Sequence, residues 1–290
     1  MESKNSTQDV SDTLSLEQSA PNSLKHAITA LMCACCIVLS CWAESLFAQT
    51  IIVYHFNPES HSDRNLVLKN TFDQYFQVSH NIELQPVDDR TTFEGLIAVK
   101  PLSLFIMSDW QFHQLESDRK DLIPYLRGLK DNNDTFHKLL IGKGPLSPQH
   151  ATVAVSGTED YVYSLLEEMR LNTPPLPMQN LRLLTVPKDI DALLAVSFGM
   201  ADAALATETS YEKYELLYRN EYQQLKVLGT SQPQKRLVVA LFKQHLPALE
   251  SALDALLDMD QSPNGQLGLK LLGLDEWTPL PTTRHKGGQP

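Results

Sequence analysis

The chain has 290 residues, 42% of them apolar, with 24 Lys and Arg against 35 Asp and Glu. That is enough apolar matter for one large core or two smaller ones, and no block of low complexity interrupts it. An acidic balance without clustered Lys and Arg excludes a phosphate backbone as partner, so no nucleic acid is expected.

The first 43 residues read as a leader followed by a secretory signal. The run "AITALMCACCIVLSCWA", residues 27 to 43, follows Lys25 and precedes Glu44, with an apolar middle and small residues near its end, the order an export signal requires. All four cysteines, Cys33, Cys35, Cys36 and Cys41, lie inside it. The remainder carries no thiol, which suits an oxidising envelope compartment, and the expected location is periplasmic. Cleavage after Ala43 or Ala48 is one reading. A lipoprotein box, Val38-Leu39-Ser40-Cys41, would leave Cys41 lipid-modified, and an uncleaved membrane anchor is the third. The polar stretch before residue 24 is long for any of these and would fit a true start further along.

Beyond the signal, short β-branched runs alternate with amphipathic stretches. "TIIVYHF" (50 to 56) predicts a strand, and residues 62 to 76 carry Leu68, Phe72, Tyr75 and Phe76 at helical spacing behind a Ser62 cap. Further strands are expected at 82 to 87, 102 to 107, 137 to 142, 151 to 156, 181 to 186, 202 to 207, 225 to 230 and 236 to 242. Near-continuously apolar strands alternating with helices predict mainly parallel sheets covered on both faces. "GKGPLSPQH" (142 to 150) and "GTSQPQK" (229 to 235) break the rhythm. They read either as two crossings between two lobes or as ordinary surface loops.

Several strands run straight into capped helices. Ser108 with Gln111, Ser156 with Glu159, and Thr209 with Glu212 all have capping-box spacing. In an open parallel sheet, helix amino ends beyond the strands offer free amides to an anion, so converging ends would make an oxyanion cradle without Lys or Arg. Taken singly, each motif is also explained by a helix needing a cap.

The order of "IIVYHFNPE", "LSLFIMSDWQF", "ATVAVSGTEDYVYSLL", "FGMADAALATETSYEK" and "GQLGLKLLGLDEW" resembles the type II periplasmic solute-binding proteins, in particular the phosphate/phosphite/phosphonate-binding family of ABC transporter components, over residues 50 to 280. The resemblance implies an α/β fold of two lobes joined by a β hinge, with 49–142 and 231–280 in lobe 1, 143–230 in lobe 2, and 281–290 a flexible tail. It implies a monomer that holds a small anion in the cleft for an inner-membrane permease. Carried over by position, the cleft would be lined by Tyr54, His55 and Asn57, then Ser108, Asp109 and Trp110, then Ser156, Gly157 and Thr158, and lastly Thr207, Glu208 and Tyr211. Asp202 suits a structural carboxylate bonded to backbone amides. Glu159, Asp160 and Glu208 crowd acid near this site, where the family is richer in Ser and Thr, which argues either against a phosphonate or for a ligand that also carries an amine.

Enzymatic readings are weaker. His55 and His61 lack a third partner at metal-ligand spacing, "GKGPLS" lacks the earlier glycine of a Walker loop, and Ser156-Gly157 lacks the leading glycine of a nucleophile elbow. Trp110 reads equally as packing or as a stacking platform. Neither metal nor cofactor is required. The alternative to transport is an envelope sensor or interaction module, partnered by a sensor protein, on the same fold; a hydrolase on an α/β scaffold is the third class.

Overall fold

The computed structural model describes residues 50–59, 65–77, 81–147, 149–171 and 180–281. The leader and signal, the four cysteines, His61, Ser62 and residues 282–290 lie outside the described residues. Among the described residues, no helix is long and apolar enough to cross a membrane.

Two six-stranded sheets organise the chain. The strands are β1 (Ile51–Phe56), β2 (Ile82–Pro86), β3 (Ser103–Met107), β4 (Leu122–Leu129), β5 (Thr135–Phe136), β6 (Lys138–Gly142), β7 (Ala151–Val155), β8 (Arg170–Leu171), β9 (Leu181–Thr185), β10 (Ala203–Thr207), β11 (Lys226–Thr230), β12 (Gln234–Lys235), β13 (Val238–Phe242) and β14 (Glu276–Pro279). The first sheet runs β14-β4-β13-β3-β1-β2 and the second β8-β11-β6-β10-β7-β9. The helices are α1 (Asn65–Phe76), α2 (Arg90–Val99), α3 (Asp109–Glu116), α4 (Glu159–Glu168), α5 (Asp189–Ser197), α6 (Glu208–Leu217), α7 (Arg219–Tyr222), α8 (Leu246–Leu257) and α9 (Pro263–Leu272).

Strand periodicity explains why each sheet is covered twice. In β3, Leu104 and Ile106 enter one core with Phe72, Leu249 and Leu253, while Phe105 and Met107 enter another with Phe93 and Phe112. Successive side chains point to opposite faces, so a wholly apolar strand needs helices on both. In the second sheet, Ala204 and Ala206 pack under α5 and α6, and Leu205 packs with Val162 and Leu165 of α4. Each sheet with its helices therefore forms a lobe with its own apolar interior.

The sheets are mixed and not mainly parallel as the sequence predicted: among the described residues, three of the five strand pairings in each are antiparallel. β1, β2 and β3 pair in parallel, as do β7, β9 and β10, but β13 is antiparallel to β3 and β4, and β6 is antiparallel to β10 and β11. An antiparallel strand is what lets the chain cross: β6 and β13 each enter a sheet directly from a crossing, without a covering helix to reverse them.

The crossings themselves are short. β5 and β12 form a two-stranded antiparallel ribbon, Gln234 opposite Phe136 and Lys235 opposite Thr135. Ahead of it, Asp131 and Asn132 both take positive φ, the geometry of a tight hairpin turn that Asp and Asn tolerate. The second predicted crossing, 229 to 235, leads into this ribbon. The first does not: residues 142–150 connect β6 to β7 inside the second sheet. The strand at Lys138–Gly142, expected in lobe 1, is hydrogen-bonded to β10 and β11. β4, which precedes the crossing, carries Pro124 and Gly128, residues that lower β propensity and mask the strand in the sequence.

Candidate functional site

The carboxyl ends of β1 and β3 in the first lobe face those of β7, β9 and β10 in the second, and helix amino ends begin there. Ser108 accepts the amide of Gln111 and caps α3 as its spacing predicts. At α6 the cap is Thr207, whose Oγ1 accepts the Ser210 amide; Thr209, read as the cap, lies inside the helix because α6 starts directly after β10. At α4 the cap position is Thr158 and not Ser156, and Thr158 makes no side-chain capping bond.

Ser156 has a different partner. Its Oγ donates to Asp189 Oδ1 at 2.6 Å, the Thr207 amide donates to Asp189 Oδ2 at 2.7 Å, and Lys138 Nζ stands 3.3 Å from Oδ1. Burial alone would raise the Asp189 carboxyl, but Lys138 first, then Ser156 and Thr207, outweigh it and hold its pKa below the usual range. Across the cleft, Asp109 is buried against the Arg127 guanidinium, which also donates to the Arg236 carbonyl. Arg127 Nε is buried without a partner among the described residues. Two buried acid–cation pairs thus neutralise themselves at the facing strand ends.

Glu59 feels the charges of both pairs. Burial pushes its carboxyl up to about 7; Asp189 and Asp109 push the same way, and Lys138 and Arg236 oppose them. Among the described residues its carboxylate has no hydrogen-bond partner; only its amide is bonded, to Asn57 Oδ1. The Tyr161 hydroxyl, 1% exposed, is also unpartnered. Burial, then the charges of Glu59 and Asp189, raise that phenol well above its ordinary value.

Among the described residues, the lobes touch around this centre through several contacts. The Thr158 amide donates to the Pro58 carbonyl at 2.8 Å. Gly157 is required beneath that bond, since a Cβ there would lie 2.9 Å from the Pro58 oxygen and 3.0 Å from Tyr161 Cδ1. Trp110 Nε1 donates to Ser164 Oγ, its ring meets Tyr161 edge-on at 5.6 Å, and the Arg90 guanidinium lies 5.3 Å from its centre. Arg90 also reaches Asp160 at 3.5 Å.

A pocket of about 230 Å³ lies at this junction. His55, Asn57, Asn65 and Asp88 line it from the first lobe, and Gly157, Thr158, Glu159 and Thr185 from the second. The His55 ring is kept neutral by burial, with a pKa of about 4, and its Nε2 has no partner among the described residues.

Of the residues expected in the cleft, the structure brings His55, Asn57, Gly157 and Thr158 together at the pocket. Ser108, Asp109, Ser156 and Thr207 stand at the strand ends but are committed to a cap or an ion pair, and Trp110 packs across the lobes. Tyr54 stacks on Phe105 inside the first lobe. Tyr211 lies in the second lobe's core, 4.6 Å from the Tyr222 ring. Glu208 opens α6, its amide bonded to the His137 carbonyl. Asp202 accepts the Thr152 amide at 2.7 Å, a structural carboxylate as read. Glu59, Arg127, Lys138, Tyr161 and Asp189 were missed. Two carried a signal: Lys138 interrupts an apolar strand, and Asp189 follows a strand that ends like the other three.

Residues 181–282 match the family model described as the periplasmic substrate-binding protein of phosphonate ABC transporters, so the resemblance read from the sequence holds over that segment. Among curated proteins no sequence match is found. Solved structures with similar folds include a Xanthomonas citri protein bound to chloride (TM-score 0.56, 15% identity, 80% of this chain and 92% of that one). They also include a binding-protein component of a Pseudomonas aeruginosa ABC phosphonate transporter (0.55, 14%, 80% and 82%). A third is PhnD1 of Prochlorococcus marinus in complex with methylphosphonate (0.57, 10%, 79% and 92%). The architecture is that of the type II periplasmic-binding proteins.

Proposed function

We propose that this chain is an extracytoplasmic solute-binding protein that captures a small phosphonate-like solute between its lobes and delivers it to an inner-membrane ABC permease, without catalysis. The observation that carries the reading is the interlobe pocket at the uncapped amino end of α4. Unsatisfied amides and the positive end of the helix dipole favour an anionic group there. Neutral His55 and Asn57 add hydrogen bonds without adding charge. Asp88 and Glu159, which line the same pocket, are the carboxylates that would receive an amine on the solute.

Thermal shift with phosphate, sulfate, methylphosphonate, 2-aminoethylphosphonate and amino acids tests it. A solute at a hundredfold excess over its dissociation constant should add about 2.7 kcal/mol of stability. The expected order places 2-aminoethylphosphonate above methylphosphonate. No shift from any member, with protein refolded to remove carried ligand, would defeat the reading. A second reading, an envelope sensor on the same fold, is favoured by one observation: Ser156, Thr207 and Lys138 are already spent on Asp189.

A further inference from the structure

We infer that Asp189 is the specificity-determining residue of this cleft: its carboxylate occupies the donors at the ends of β7 and β10, so that free inorganic oxyanions are rejected and a solute without excess negative charge is accepted. The inference rests on the solute-binding reading and goes beyond it by assigning selectivity to one side chain.

The donor set is the kind that binds an oxyanion. A serine hydroxyl, a backbone amide at a helix amino end and a buried ammonium converge within 2.6 to 3.3 Å of one carboxylate. Charge-assisted bonds of this kind are the strong ones, and each is worth more in a site removed from water. An incoming phosphate or sulfate finds none of the three free. It also meets the Asp189 carboxylate itself, which already fills the place its own oxygens would take among those donors. On the facing strand end the Arg127 guanidinium is likewise committed, to Asp109. A solute that brings its own ammonium group does not depend on those donors alone, because the Asp88 and Glu159 carboxylates line the pocket and would pair with it.

The experiment compares wild type with Asp189→Ser and Asp189→Asn by titration calorimetry against phosphate, sulfate, methylphosphonate and 2-aminoethylphosphonate. Asp189→Ser removes the carboxylate and leaves room; Asp189→Asn removes its charge and retains an acceptor for Ser156 or Thr207. Either variant should bind phosphate or sulfate at least tenfold more tightly than wild type. Wild type that binds phosphate as tightly as 2-aminoethylphosphonate overturns the inference, a result needing no variant to fold. If wild type binds 2-aminoethylphosphonate and folded variants gain no oxyanion affinity, the inference falls while the solute-binding reading stands. If wild type binds no member of the panel and the variants acquire phosphate binding, the inference stands and the proposed ligand class falls.

Discussion

The amino ends of α3 and α6 are closed by their own side chains, Ser108 on the Gln111 amide and Thr207 on the Ser210 amide, whereas α4 begins at Thr158 with no such bond. All three helices follow a strand into the same cleft, so position alone does not separate them. The difference lies in what the neighbouring chain supplies. At β7 the hydroxyl of Ser156 is drawn away by Asp189 from the next strand end, and the Thr158 amide is turned toward Pro58 of the other lobe. A helix end without its cap keeps unsatisfied donors, and here those donors border a pocket. Closed ends contribute to stability; the open end is the one able to contribute to binding.

The strongest way to break this arrangement is to strand the charge behind it. Lys138→Met leaves Asp189 buried with hydrogen bonds but no cation, and removing one partner of such a pair costs about 3–5 kcal/mol. Urea unfolding should show that loss, and the double variant Lys138→Met/Asp189→Leu should recover part of it. An unchanged midpoint for the single variant would mean that water already solvates Asp189.

Gly157→Ala acts on the contact between lobes. A Cβ 2.9 Å from the Pro58 oxygen forces either the turn or the opposing loop to move, at a cost of about 1–3 kcal/mol. Because the same turn borders the pocket, loss of stability should be accompanied by loss of affinity for 2-aminoethylphosphonate. Weakened stability with intact affinity would place the ligand elsewhere.

Two titrations on the first-lobe side oppose one another. Unfolding restores His55 from about 4 to 6.5, so the unfolded chain takes up the proton and stability falls as pH drops through that window. Unfolding returns Glu59 from about 7 to 4.5, so the folded state holds the extra proton and stability falls as pH rises from 4.5 to 7. Each contributes a slope of at most about 1.4 kcal/mol per pH unit. The wild-type profile should therefore be nearly level between pH 4.5 and 6.5 where these two windows overlap. Glu59→Gln should leave a decline toward acid, and His55→Gln a decline toward neutral pH, in ligand-free chemical denaturation. Parallel profiles for the two variants would contradict both assignments.

The smallest effects sharpen the comparison most directly. Ser108→Ala and Thr207→Ala should each cost about 1 kcal/mol as lost caps. Thr158→Ala should change stability by less than about 0.5 kcal/mol, there being no cap to lose, yet weaken solute binding. If all three behave alike, the distinction between open and closed helix ends is wrong.

Periodicity and residue type determined much by themselves. Apolar runs such as "LSLFIM" and "RLVVALF" have no polar face, which dictates strands buried on both sides and hence helices on both. Ser108 could be read as a cap because its partner amide is three residues away, and local bonds of that kind are written in local sequence. β4 was illegible because Pro124 and Gly128 argue against a strand, and only pairing with β13 and β14 overrides them. The tertiary structure alone decided where the crossings fall, since β6 joins the second sheet by bonding to β10 and β11, far along the chain. It alone decided the cleft chemistry as well. Ser156 and Asp189 are 33 residues apart and Lys138 and Asp189 are 51, so whether that serine caps a helix, meets a ligand or neutralises a buried acid depends on strand order, and strand order is not a local property.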